Sequence, residues 1–101
     1  MVVTATAYNS TRAQTDSTPG VTAFGVRLKP GMRVIAVSRD LEAAGLRAGT
    51  RVRIEGLPGD WEVGDRMPSH RHQAIDVYMG VDVSAARKFG RRQVKVRWDG
   101  S

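Results

Sequence analysis

The chain has no cysteine, so disulfides, thiolate metal sites and a thiol nucleophile are excluded. Aromatic residues make up only 6% of it: Tyr8, Phe24, Trp61, Tyr78, Phe89 and Trp98. No apolar run approaches the roughly 18 residues that a membrane-spanning helix needs. The opening MVVTATAY lacks the basic start and long apolar core of a secretory signal; an exported domain already freed of its signal would read the same way. No internal repeat or low-complexity tract stands out. The glycine-containing stretches PGMRVI and GLRAGT match neither the phosphate-binding loop nor the dinucleotide pattern. Ser69 and His70 are neighbours in the chain, but a catalytic triad depends on spatial geometry, not adjacency.

What is present is enough for one small domain, residues 1–101, with 41% hydrophobic and 26% charged residues. The net charge is +6, carried by 13 arginines and 3 lysines against 10 acidic residues. Such an excess suits polyanionic partners or a solvated basic surface. Short β-type runs punctuated by Gly, Pro and Asp dominate. They are VVTATAY, MRVIAV, RVRIEG, WEVGDRM, AIDVYM and QVKVRW. In RVRIEG, Val52 and Ile54 alternate with Arg51 and Arg53, giving one inward and one outward face. In QVKVRW, Val94, Val96 and Trp98 share the inward face. Asp82 is placed to N-cap a helix over VSAARKF, and Gly90 to stop it. DLEAAGLRAGT holds at most one helical turn, and NSTRAQTDSTPGVT reads as a loop. The fold class is all-β with one short helix. Strands this numerous in so short a chain close or nearly close, because free edges invite aggregation.

Two carboxylates raise a chemical question. In AIDVYM, Asp76 and Tyr78 share the face opposite Ile75 and Val77. Aspartate is disfavoured in strands, so Asp76 either faces water or lines a groove. Strict alternation from Trp61 puts Asp65 on the core side with Val63 and Met67, unless Gly64 introduces a bulge. A half-buried Asp65 needs donors, which Arg66 or backbone N–H groups could supply. If the two aspartates lie close, one keeps its proton near neutral pH and can serve as a general acid. His70 and His72 share a strand-type spacing, but two imidazoles do not make a metal site, and they read as surface-loop residues. An open barrel with arginines and aromatics on one face could bind single-stranded nucleic acid, although Trp98 and Phe89 fall on core positions.

The motif order TATAY, TAFG, IAV, AGTRVRIEG, Asp65, AIDVYMG and AARKFGRRQVKVRW resembles the 3D (Asp-Asp-Asp) domain family. That family is related to the catalytic barrel of membrane-bound lytic transglycosylase A. The resemblance runs from about Thr4 to Trp98 and is most specific from Asp65 onward. It implies a six-stranded double-psi β-barrel with a groove across it. It also implies a peptidoglycan lytic transglycosylase. Such an enzyme cleaves the bond between N-acetylmuramic acid and N-acetylglucosamine and leaves a 1,6-anhydro ring. On this resemblance Asp76 is the general acid/base, Asp65 its partner, and Tyr8, Asp40, Arg66 and Tyr78 meet the substrate. Arg71 and Arg53 are further rim candidates. The family's first aspartate position reads Ser38 here, with Asp40 two residues on. That difference motivates an alternative, a non-catalytic glycan-binding barrel. The expected partner is the peptidoglycan glycan strand in the bacterial envelope, met by a monomer that needs neither metal nor cofactor. Nucleic acid is not expected as a partner.

Overall fold

The computed structural model describes residues 1–10 and 21–99. Most of the loop expected over residues 9–22 lies outside them. Six strands and two short helices follow in the order β1 (Val2–Tyr8), β2 (Val34–Val37), α1 (Arg39–Ala43), β3 (Arg51–Ile54), β4 (Asp60–Arg66), β5 (Ala74–Tyr78), α2 (Val83–Phe89) and β6 (Arg92–Trp98). The strands close into a barrel in the order β1-β5-β2-β4-β3-β6. The β1/β5 and β2/β4 pairs are parallel, and the other four are antiparallel. Every strand therefore has two hydrogen-bonded neighbours, and no edge is left free.

Alternation builds the interior. Val3 and Ala5 of β1, Val52 and Ile54 of β3, Ile75 and Val77 of β5, and Val94, Val96 and Trp98 of β6 all enter one core. Both arginines of β3 stay outside, as the sequence pattern requires. β2 departs from alternation, since all four of its residues are buried. Its outer face is covered, and Ala36 joins Met67 and Ala74 in a second small apolar cluster against which Tyr8 packs. The strand expected from Met32 begins at Val34.

Two helices are present where one was expected. The first turn of DLEAAGLRAGT closes as α1, whose Leu41 is buried, and the chain leaves it through Gly45, at a φ of 123°. α2 follows its end signals closely. Asp82 accepts the Ala85 N–H at 2.9 Å, Phe89 is the buried residue, and Gly90 ends the helix with a φ of 63°.

The irregularity that matters most is in β4. Ile35 pairs with Val63, yet Ala36 pairs with Asp65, so Gly64 is an extra residue in the ladder. Glycine is required at this position. A Cβ at Gly64 would stand 2.7 Å from Val34 Cγ1, closer than packed carbons allow. The bulge shifts the alternation by one residue, and Asp65 leaves the core side for a half-exposed position.

Candidate functional site

The bulge and the registers align four residues from four strands. Thr6 of β1 pairs with Asp76 of β5, Asp76 pairs with Ala36 of β2, and Ala36 pairs with Asp65 of β4. The two aspartates thus flank a methyl group. With strands about 4.7–4.9 Å apart, their backbones stand about 9–10 Å from each other. Because Ile75 and Val77 enter the core, Asp76 projects from the barrel's outer wall. There it lines a cleft of about 270 Å³ with Tyr8, Asn9, Ala36, Asp65 and Arg66, to which Val21 and Leu28 add apolar surface. Asp65 and Asp76 are the two carboxylates of that lining among the described residues.

The two differ in what holds them. Asp76 Oδ1 accepts the Thr6 hydroxyl at 3.0 Å. Burial pushes its carboxyl above the usual carboxylate range; the Thr6 hydrogen bond and the Arg71 charge oppose the rise, and the Asp65 charge adds to it. Asp65 instead spends Oδ1 on two backbone donors, the N–H groups of Ala23 and Arg66, each at 2.8 Å. It ties the segment around Ala23 to the end of β4, and so fixes one side of the cleft.

Tyr8 contributes a hydroxyl that is buried without a hydrogen-bond partner among the described residues. Burial, followed by the charges of Asp65 and Asp76 and by Tyr78, pushes its ionisation far above that of a free phenol, so it stays a donor. Tyr78 backs it, with ring centroids 5.5 Å apart. Tyr78 itself is buried behind the cleft, its hydroxyl 2.6 Å from Ser10 Oγ. Arg66 reaches the lining, but its guanidinium is already engaged. It donates to both oxygens of Glu42 on α1, at 2.7 and 2.9 Å, and lies 5.0 Å above the Phe24 ring.

Asp40 lies outside the cleft. Its carboxylate accepts the Gln73 N–H, at 2.9 Å to Oδ2, where Gln73 has a φ of 45°. The Ser38 hydroxyl first, and then the Gln73 N–H, hold Asp40 below its ordinary range. Ser38 is fully buried and accepts the Ala74 N–H at 3.0 Å. The Ser38–Asp40 segment therefore anchors the entry to β5 and adds no third carboxylate to the lining. His70 and His72 are both exposed, in the loop before β5, and no group of three metal-binding side chains occurs among the described residues.

Sequence reasoning missed Thr6, Asn9 and Glu42. Thr6 carried a signal: in TATAY it shares a face with Tyr8, opposite Val3 and Ala5. Asn9 is buried and donates to the carbonyls of Met79 and Gly80, a role that needs the β1/β5 pairing to exist first. Nothing in the local pattern ties Glu42 to Arg66.

No protein family matches the chain, and no curated protein matches it in sequence. Among solved structures, the crystal structure of an apo expansin from Clavibacter michiganensis aligns with a TM-score of 0.62 at 15% identity. The alignment covers 99% of this chain and 51% of that one, so the chain spans about half the length of that protein. At this identity the likeness is one of fold, and together with the closed six-stranded topology it makes this chain a double-psi β-barrel.

Proposed function

We propose that this barrel binds a cell-wall polysaccharide, with a peptidoglycan glycan strand seated in the Asp65–Asp76 cleft. The observation that carries the reading is the cleft's mixed lining. A carboxyl held toward its neutral form, a second carboxylate and a buried phenol donor surround an alanine floor. Sugar hydroxyls both donate and accept, and such a lining can answer both. At about 270 Å³ the cleft is slightly smaller than the roughly 300–1,000 Å³ of enclosed small-molecule sites, which suits one ring of a chain that continues over the surface. The expansin likeness supports wall polysaccharide as the ligand class, and the motif order resembling the 3D domain family supports peptidoglycan within it. On this reading the protein works in the bacterial envelope.

A second reading rests on one specific observation, the raised carboxyl of Asp76. Lytic cleavage needs an acid to protonate the departing glycosidic oxygen, while the sugar's own C6 hydroxyl attacks. Asp76 would donate that proton and then accept one from the C6 hydroxyl, with Asp65 favouring the developing positive charge.

One experiment separates the readings. Purified peptidoglycan is incubated with the wild type and with Asp76→Asn, and the soluble and insoluble fractions are analysed by mass spectrometry and immunoblot. Retention on the insoluble wall with no fragments released supports binding alone. Anhydro fragments made by the wild type and not by Asp76→Asn support cleavage. No retention and no fragments sinks both.

A further inference from the structure

The acidic cleft keeps hydrogen-bonding capacity in reserve on two different walls. Tyr8 ends β1 and lines the cleft, and its hydroxyl is buried with no hydrogen-bond partner among the described residues. Such a group is costly to leave unsatisfied, and a bound ligand can supply the missing partner. Burial and the charges of Asp65 and Asp76 keep the phenol protonated, so it has a proton to donate. Asp65, on β4, takes both of its backbone donors on Oδ1, and no hydrogen bond reaches its Oδ2 among the described residues. β1 and β4 are three strand spacings apart in the order β1-β5-β2-β4, about 14 Å along the barrel wall. Donor and acceptor therefore enter the cleft from separate sides. Apolar surface lies among them: Ala36, packed with the buried Met67, and Val21 and Leu28. The cation of the lining, Arg66, is spent on Glu42.

We infer that the cleft selects a 2-acetamido sugar, with the acetamido group seated between Tyr8 and Asp65. The inference rests on the glycan reading above and specifies which substituent of the ring the site reads. An acetamido group carries an acceptor carbonyl, a donor N–H and a methyl on separate atoms. The Tyr8 hydroxyl donates to the carbonyl, Asp65 Oδ2 accepts the N–H, and the methyl meets Val21, Leu28 and Ala36. The other common substituents match less of this lining. A sugar hydroxyl would offer one oxygen to both walls and nothing to the apolar surface. A carboxylate or phosphate would face two aspartates with the cation of the lining already committed. An ammonium group would suit the carboxylates but present a donor to the Tyr8 hydroxyl, and it too brings no methyl.

The test uses the full chain and two neutral probes with the same β-1,4 linkage, tetra-N-acetylchitotetraose and cellotetraose, which differ in the substituent at C2. Both are titrated calorimetrically into the wild type, Tyr8→Phe and Val21→Thr, and retention on purified peptidoglycan is measured in parallel. The wild type should bind the acetamido probe about tenfold or more tightly than cellotetraose. Tyr8→Phe should weaken the acetamido probe by about three- to tenfold while its melting temperature holds or rises, because the hydroxyl removed has no partner among the described residues. A purely architectural role for that hydroxyl would lower the melting temperature instead. Val21→Thr, which keeps the shape and exchanges a methyl for a hydroxyl, should show a smaller loss on the same probe. Cellotetraose should change little in either variant. Equal affinity for the two probes, or binding of neither, with peptidoglycan still retained would overturn the acetamido assignment and leave the glycan reading standing. A preference undiminished in both variants would overturn the placement between Tyr8 and Asp65. Binding of neither probe together with no retention would remove the glycan reading, and this inference with it.

Discussion

The two sides of this barrel treat charge in opposite ways. Around the acidic cleft, nearly every charged group has a fixed partner: Asp65 has two backbone donors, Arg66 has Glu42, and Asp76 has Thr6. On the β3/β6 side, Arg53 and Arg97 face each other with one long contact to Asp60. A held geometry suits recognition of one ring, whereas the β3/β6 wall mixes its cations with Glu55, Asp60 and Asp99 at exposed positions. The difference shows that charge density alone would have pointed to the wrong wall for the acidic cleft.

The contrast can be broken at its most constrained point. Gly64→Val should be the most damaging change, because its side chain cannot fit beside Val34 without overpacking. A loss of about 1–3 kcal/mol is expected in urea denaturation, with retention on peptidoglycan falling alongside. Glu42→Ala leaves the Arg66 guanidinium without its bidentate carboxylate and should lower the urea midpoint by less than Gly64→Val does. Hydrogen exchange should then rise near Phe24, which Arg66 covers, and remain unchanged along β3 and β6.

Asp76→Asn sharpens the comparison through pH. The folded-state pKa of Asp76 is raised, so the folded protein binds this proton more readily than the unfolded chain does. At neutral pH the buried charge therefore costs stability. That cost shrinks as pH falls through the folded value, and it is gone below the unfolded value of about 3.9. Thermal melts should show Asp76→Asn more stable than the wild type at pH 7 and no longer so near pH 4. The smallest effect belongs to the open wall. Arg97→Gln removes one member of the like-charge pair and should raise stability by about 0.2–1 kcal/mol, with the gain fading in high salt.

The barrel was legible wherever two-residue alternation operates, as in β3 and β6, because one buried face leaves a repeating mark. The ends of α2 were legible because Asp82 and Gly90 act on their immediate neighbours. The fork at Asp65 was visible as a choice, and the bulge at Gly64 decided it, at a position where Val34, thirty positions earlier in the chain (64 − 34), leaves no room for a side chain. Asp40 shows the limit of motif reading. It falls near the expected position in the chain, yet its carboxylate is bound to the Gln73 N–H, a contact between distant segments that composition and spacing do not record. Asn9 and Glu42 were missed for the same reason, since their partners are distant in sequence, whereas Thr6 could have been found from the face it shares with Tyr8.

The pairing of β1 with both β5 and β6 has a consequence for how the protein is made. Thr6 and Asp76 are 70 positions apart, so the barrel's first strand waits for its last two, β5 and β6, before it can join a ladder. Long-range pairing of this kind slows folding, and until then VVTATAY is an unpaired strand with both edges open. The acidic cleft draws on β1, β2, β4 and β5, so it is complete only once β1 has docked, and ligand retention during refolding would time that step.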